Sequence, residues 1–348
     1  MELSRLVRPN IQRLRPYSSA RHEFKGEAEV FLDANENPFD TGYNRYPDPL
    51  QLAVKRELAP LKGVAVDQIF LGNGSDEAID LLYRIFCEPG RDAVITLPPT
   101  YGMYRVSADI NDVTVREVPL TTDFQLDLPR IEAATDATTK LLFICSPNNP
   151  TANRIDPAAV RRCCATFSGI VVVDEAYIDF SEGPSATTWL DRYPNLVVLQ
   201  TFSKAWGMAG VRLGMAFASP AIIDLFNRVK PPYNVNQLTQ QAALAALQNR
   251  TQRERWVAEI LAERTRLAAA VADLPISRHV YPSDANFILW RTDDPVAVYQ
   301  HLVAQKVVVR DRSKVLRCAG CLRFTVGTPT ENDRLLEGLR TFVPETVD

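Results

Sequence analysis

Between about Asp67 and Ser219 the chain alternates short apolar runs with longer stretches whose apolar positions recur at helical spacing. The runs Gln68–Leu71, Ala93–Leu97, Lys140–Cys145, Ile170–Val173, Leu196–Gln200 and Leu213–Ala218 predict strands. Several are near-continuous in Val, Ile and Leu, as expected where a strand is covered on both faces. The stretches Asp76–Cys87 and Pro157–Phe167 predict helices. In the first, Ala78, Leu81, Leu82, Ile85 and Phe86 form one apolar stripe. Strand–helix–strand alternation of this kind builds an α/β fold, with a mostly parallel central sheet flanked by helices.

Pro231-Pro232 closes that region. A helical stretch follows from about Asn236 to Ala272, with a break near Asn249. Beyond it the pattern predicts strands at Asn286–Trp290, Val307–Arg310 and Leu322–Val326, a helix at Val296–Gln305, and a final helix from about Glu331. This is a smaller α+β unit. The first forty residues carry Arg, Pro and Asn with no sustained apolar period and read as an arm lying on something else. The expected organisation is an N-terminal arm over 1–40, a large domain over 41–235 and a small C-terminal domain over 236–348.

The composition narrows the function. A chain of 348 residues, 46% hydrophobic and 23% charged, is an ordinary globular protein. Lys plus Arg number 39 and Asp plus Glu 42, a net charge of −3, which argues against a general nucleic-acid binder. The longest apolar runs are six residues (Ala242–Leu247 and Leu267–Ala272), far below the ~20 of a membrane span. The start carries Arg5, Arg8, Arg13 and Arg15 without an apolar segment, so no secretory signal is expected and the location reads as cytoplasmic. The six cysteines then read as reduced thiols. Cys318-Ala-Gly-Cys321 has zinc or redox spacing but no second pair to complete a site, and the three histidines are scattered, so no metal is expected.

The candidate chemistry lies where the central strands end. Lys140–Cys145 runs into Ser146-Pro147-Asn148-Asn149-Pro150, Ile170–Val173 into Asp174-Glu175-Ala176-Tyr177, and Leu196–Gln200 into Thr201-Phe202-Ser203-Lys204. The intervals from Asn149 to Asp174 (25 residues) and from Asp174 to Lys204 (30 residues) suit strand–crossover–strand units. If those strands are neighbours, an amide, a carboxylate and an amine converge at the carboxyl edge of a parallel sheet, where ligands bind. Pyridoxal phosphate needs that set: a lysine for its aldehyde, a carboxylate for its ring nitrogen, a neutral donor for its ring oxygen, and a helix start with a cation for its phosphate. Gly72-Asn73-Gly74-Ser75-Asp76-Glu77 offers such a helix start, and Tyr101 in Pro98-Pro99-Thr100-Tyr101-Gly102 offers a ring to stack. Each residue alone has a plainer reading: a solvated lysine, a capping Asp, a turn Asn, a packed Tyr, an N-capped helix.

Together these motifs resemble those of the pyridoxal-phosphate-dependent aminotransferases of the aspartate-aminotransferase fold, fold type I, and within them the histidinol-phosphate aminotransferase family. The matching stretches are Arg15–Tyr17, Asp33–Pro38, Asn44–Pro47, Gly72–Glu77, Pro98–Tyr104, Ser146–Thr151, Asp174–Tyr177, Thr201–Gly214, Lys230–Asn234 and Cys321–Thr328, nearly the whole chain. The resemblance implies that Lys204 holds pyridoxal 5'-phosphate and shuttles the proton. It implies that Asp174 pairs with the ring nitrogen, that Asn149 and Tyr177 contact the ring oxygen, and that Tyr101 stacks on the ring. Ser75, Asp76, Thr201, Ser203 and Arg212 would hold the phosphate. Tyr46 would reach it from the partner subunit, so a homodimer with shared active sites is implied. Arg323 and Arg310 would bind the anionic group of histidinol phosphate or of glutamate and 2-oxoglutarate, with Tyr17 and Asn35 at the substrate end. One departure is Ala152, where the family usually has Gly; a small backbone effect is expected there. Nearly the same motifs would serve a decarboxylase of threonine phosphate or a broad aromatic aminotransferase. A non-catalytic regulator is not expected, since the roughly 40 residues before the first matched core motifs are too few for a DNA-binding domain, nor is a nicotinamide dehydrogenase, since its glycine fingerprint is missing.

Overall fold

The structure is a computed structural model and describes residues 3–17, 26 and 29–343. The remainder of the expected arm, and the last five residues, lie outside the described residues.

The first part of the chain runs α1 (Leu52–Lys62), β1 (Ile69–Asn73), α2 (Ser75–Phe86), β2 (Ala93–Thr96), α3 (Met103–Ile110), β3 (Thr114–Glu117), α4 (Leu128–Ala134), β4 (Thr139–Cys145), α5 (Pro157–Thr166), β5 (Ile170–Asp174), β6 (Leu196–Thr201), β7 (Leu213–Ala218) and α6 (Pro220–Val229). The strands form one seven-stranded sheet in the order β1-β7-β6-β5-β4-β2-β3. Neighbours from β3 to β6 pair in parallel, while β7 pairs antiparallel with both β6 and β1. Only residues 202–212 separate β6 from β7, too few for a crossover, so the chain must reverse direction there.

Successive residues of each central strand point to opposite faces. Leu142, Ile144, Val171, Val173 and Val198 pack with Val54 and Leu58 of α1 and Val160 and Cys164 of α5. Leu141, Phe143, Val172 and Val197 pack on the other side with Leu82 and Phe86 of α2, Tyr104 of α3 and Phe226 of α6. Each such side chain buried between layers contributes about 1.5–3 kcal/mol. This double coverage is why these strands are legible as apolar runs. The edge strand β3, with sequence TVRE, has a partner on one side only and half-exposed side chains, and no apolar run announces it. Residues near the start pack on the same body: Val7 and Ile11 are buried in the cluster of Phe86, and the Arg8 N–H donates to the Ile85 carbonyl at 3.0 Å.

The second part runs α7 (Gln237–Gln248), α8 (Arg250–Ala272), β8 (Ser277–Val280), β9 (Phe287–Thr292), α9 (Pro295–Ala304), β10 (Arg310–Asp311), β11 (Cys321–Thr325) and α10 (Pro329–Arg340). Its four strands form an antiparallel sheet in the order β10-β11-β9-β8. One face carries Ile288, Trp290, Leu322 and Phe324 into a core with Leu267, Val298 and Leu336. The helical stretch does break at Asn249. The strand expected at Val307–Arg310 is corrected to the two residues of β10: Val307 and Val309 pack toward the core as single side chains, Val308 is exposed, and pairing with β11 begins at Arg310. All six cysteines are buried, Cys318 and Cys321 against Leu289.

Candidate functional site

The strand order brings the expected residues together. β4, β5 and β6 are adjacent and parallel, and Cys145 pairs with Asp174, which pairs with Leu199. The loops after them therefore open at one edge of the sheet. One cavity there is lined by Ser75, Asp76, Tyr101, Cys145, Asn149, Asp174, Ala176, Tyr177, Thr201, Ser203, Lys204, Ala209 and Arg212.

Local sequence explains each wall. β1 ends against β7 and turns at Gly74, whose φ of +73° is a region that favours glycine. Gly214 of β7 lies under that turn, and a Cβ on it would stand 2.1 Å from the Ser75 nitrogen. The chain thus passes close enough to start α2 at the cavity, with Ser75 and Asp76 in its first turn, where backbone N–H groups have no helical acceptor. Arg212 stands at a φ of 57° just before β7. Its guanidinium donates to the Ser203 Oγ at 3.4 Å and the Ala209 carbonyl at 3.2 Å, and lies 3.5 Å from Asp76. The Thr201 hydroxyl accepts the Ser203 N–H at 3.0 Å. Serine, threonine, arginine and two open N–H groups make one anion cradle.

The opposite end holds the amide, phenol and carboxylate. The Asn149 amide donates to the Tyr177 hydroxyl at 3.4 Å, and its Oδ1 accepts from Arg323 of β11. Arg323 lies over Phe287, 5.1 Å from the ring centroid, and Phe287 meets Tyr177 edge-on at 5.0 Å. Lys204 Nζ is 5.6 Å from the Tyr177 ring centroid. Tyr101 donates to Asp76 at 3.1 Å. Ala152, at a φ of 67°, buries its methyl among Tyr177, Phe180 and Phe287, a contact that glycine would not make.

Burial sets the protonation states. Asp174 is the last residue of β5 and buried; desolvation pushes its carboxyl up to about 6, against a hydrogen bond from Tyr104 that lowers it. Lys204 is pushed below the ordinary lysine value, first by desolvation and then by the charge of Arg323. A lysine so placed holds a neutral amine more readily than a solvated one.

Four expected residues stand apart from the cavity within this chain. Tyr17 is 73% exposed. Tyr46, 52% exposed, stacks on Tyr233 at 4.5 Å and lines a separate open cleft with Asn35. Arg310 is exposed on the edge strand but pairs with Arg323 across β10 and β11. Tyr104, whose hydroxyl donates to Asp174 at 2.7 Å, is missed by sequence reasoning: within its helix it reads as core, and its one signal is that a buried phenol needs a hydrogen-bond partner.

Residues 26–339 match the family of aminotransferases of class I and II. Histidinol-phosphate aminotransferase of Cytophaga hutchinsonii is 56% identical over 98% of this chain and 99% of its own length, and that of Parabacteroides distasonis 56% over 97% and 98%. The chain belongs to the class I and II aminotransferases. The fold agrees: the crystal structure of histidinol-phosphate aminotransferase from Sinorhizobium meliloti in complex with pyridoxal-5'-phosphate has a TM-score of 0.78 at 24% identity, covering 85% of this chain and 82% of that one. L-threonine-O-3-phosphate decarboxylase from Porphyromonas gingivalis shares it at a TM-score of 0.72 and 23% identity, covering 86% and 90%. At those identities the likeness speaks for fold alone. The aminotransferase's own donor set fits pyridoxal phosphate: an amine, a buried carboxylate, an amide with a phenol, and an anion cradle line one cavity. Among the described residues no helix is long and apolar enough to cross a membrane.

Proposed function

We propose that this aminotransferase moves the amino group of L-histidinol phosphate to 2-oxoglutarate, giving imidazole acetol phosphate and L-glutamate in L-histidine biosynthesis, in the cytoplasm. The observation that carries the chemistry is the meeting of Lys204, Asp174 and Asn149 in one cavity with Arg323 at its edge. The substrate is that of relatives 56% identical over nearly their whole length.

Pyridoxal phosphate, when bound, supplies an aldehyde that condenses with amines and a ring that draws electrons from the neighbouring carbon. Lys204 would anchor it through Nζ. Ser75 and Asp76 through their N–H groups, with Thr201, Ser203 and Arg212, would hold its phosphate; Tyr101 would stack on its ring, Asn149 and Tyr177 would contact its ring oxygen, and Asp174 would keep its ring nitrogen protonated. Once the incoming substrate amine has displaced it from the aldehyde, the freed Lys204 amine, held below the ordinary lysine value, would take the proton from the substrate's α-carbon as general base and return a proton as general acid. Arg323 donates to the uncharged Asn149 Oδ1 and, among the described residues, makes no ion pair with a carboxylate, which leaves its charge for a substrate phosphate or carboxylate. Arg310 would add a second charge, and Tyr17 and Asn35, which stand apart from this cavity within one chain, would serve the substrate end only in an assembly of two copies.

Two copies complete two sites in this reading: Tyr46 of the partner subunit reaches the cofactor phosphate. The exposed Tyr46 and the open cleft it shares with Asn35 support this. The arm over 1–40, the large domain over 41–235 and the small domain over 236–348 are the working units.

Purified, cofactor-loaded protein should form glutamate from 2-oxoglutarate with L-histidinol phosphate as donor, far faster than with L-phenylalanine. Release of CO2 from threonine phosphate without glutamate formation would overturn the reading. Light scattering in solution should give the mass of two chains.

A further inference from the structure

The Asp174 carboxylate is held by a side chain to which the reaction described above gives no role. Tyr104 of α3 is fully buried, and its hydroxyl donates to Oδ2 of Asp174 at 2.7 Å. Oδ1 of the same carboxylate accepts the Ala176 N–H at 3.1 Å. The Tyr104 ring is fixed by its neighbours: it stacks on Phe143 of β4 at 4.7 Å and meets Tyr101 edge-on at 5.6 Å. Its backbone carbonyl accepts the Tyr83 hydroxyl at 2.6 Å. Packing at this point asks for an aromatic ring, which phenylalanine would supply without a buried hydroxyl to satisfy. The hydroxyl therefore serves the group it touches.

We propose that Tyr104 is a positioning residue for the reaction: its hydroxyl holds the Asp174 carboxylate ionised and aimed into the cavity, ready for the ring nitrogen of the cofactor. This rests on the reading of Asp174 as the partner of that nitrogen. Desolvation works against an ionised Asp174, and the Tyr104 hydroxyl leads the groups that oppose it. The Ala176 N–H and Lys204 act in the same direction, and Asp76 acts against them. Cys145, Tyr101 and Tyr177 also face the carboxylate, each kept protonated mainly by burial. Tyr104's own proton is held well above the usual phenol range, first by burial and then by the charge of Asp174. It is thus a donor at every working pH and does not compete for the proton it controls.

Tyr104→Phe keeps the ring and removes the O–H. Infrared difference spectra of the cofactor-free full chain, with Asp174→Asn to assign the band, should show the Asp174 midpoint rising by about one pH unit. In the loaded enzyme kcat should fall about tenfold while KM for histidinol phosphate stays within about twofold. In the Asp174→Asn background the same substitution should cost kcat nothing more, because no charge remains to be held. An unmoved midpoint overturns the proposal whatever Asp174 does. An undiminished loss of kcat in the Asp174→Asn background overturns it too, since the hydroxyl would then be packing support alone. If Asp174→Asn turns over like the wild type, the reading of Asp174 fails and takes the positioning role of Tyr104 in the reaction with it; the midpoint measurement tells that failure from the first.

Discussion

Replacing Arg323 by Gln should separate two tasks that fall on one guanidinium. Arg323 reaches Asn149 Oδ1 from β11 and lies over Phe287, 5.1 Å from the ring centroid. Gln keeps an amide donor toward Asn149 and loses the charge and the fork. A charge-assisted hydrogen bond contributes about 1.5–3 kcal/mol, and a forked contact to phosphate or carboxylate makes two. A loss of about 3–4 kcal/mol is therefore expected, two to three powers of ten in kcat/KM. In the proposed function the same charge would receive histidinol phosphate in one half reaction and 2-oxoglutarate in the other, so both substrates should suffer. The second task is electrostatic. After desolvation, Arg323 is the leading cause of the depressed Lys204 amine. Removing a neighbouring cation raises the lysine pKa, so a smaller share of Nζ is neutral at a given pH. In cofactor-free protein, the rate at which Lys204 is acylated, read peptide by peptide in a mass spectrometer, should need a higher pH to reach half its maximum. Steady-state assays with each substrate varied complete the test. A kcat/KM within about threefold of wild type for either substrate, or an acylation profile shifted to lower pH, would refute the reasoning.

Three further outcomes follow from the same geometry. Lys204→Ala should lose the visible absorbance of lysine-bound cofactor and at least about a thousandfold in turnover, since the general base and the anchor go together; near-normal rates would remove Lys204 from the mechanism. Asn234→Ala should raise the dissociation constant for cofactor about tenfold while sparing kcat at saturation. Its amide donates to the Leu71 carbonyl at 2.9 Å and to Glu77, and its Oδ1 accepts from the buried Lys230 at 3.0 Å, which braces the turn leading into α2; a fluorescence titration with unchanged affinity would refute it. Asp174→Asn should give a cofactor-free chain that is more stable than wild type at pH 8 by up to about 3 kcal/mol. The folded carboxyl, raised from 3.8 to about 6, contributes stability below pH 4 that is lost as pH rises through 6, and Asn does not titrate. Denaturant melts at pH 4 and pH 8 check the sign, and a less stable variant at pH 8 would count against the buried-charge account.

What the amino-acid order made legible, and what it hid, divides along the number of faces each element buries. Ile170-Val171-Val172-Val173 sits between two layers, so hydrophobicity alone marked it, and Asp174 became conspicuous as the one carboxylate ending such a run. Thr114–Glu117 and the pair Arg310–Asp311 bury little and pair at sheet edges, so their strand character comes from hydrogen bonds that no local pattern records. Neighbourhood was the other hidden quantity. The 25- and 30-residue spacings suggested that Asn149, Asp174 and Lys204 meet, but this required β4, β5 and β6 to be adjacent, and adjacency is decided by the whole sheet. The same holds for Tyr104 and Lys230. Read locally, one is an aromatic in a helix and the other a lysine before two prolines. Only the fold sets the first 2.7 Å from Asp174 and buries the second among the carbonyls of Pro49 and Pro232. The candidate site residues announce themselves as polar groups at or just beyond the ends of apolar runs; those that brace them look ordinary, because their partners arrive from 70 or 181 residues away. Functional support of this second kind is therefore read from a structure, one buried hydrogen bond at a time.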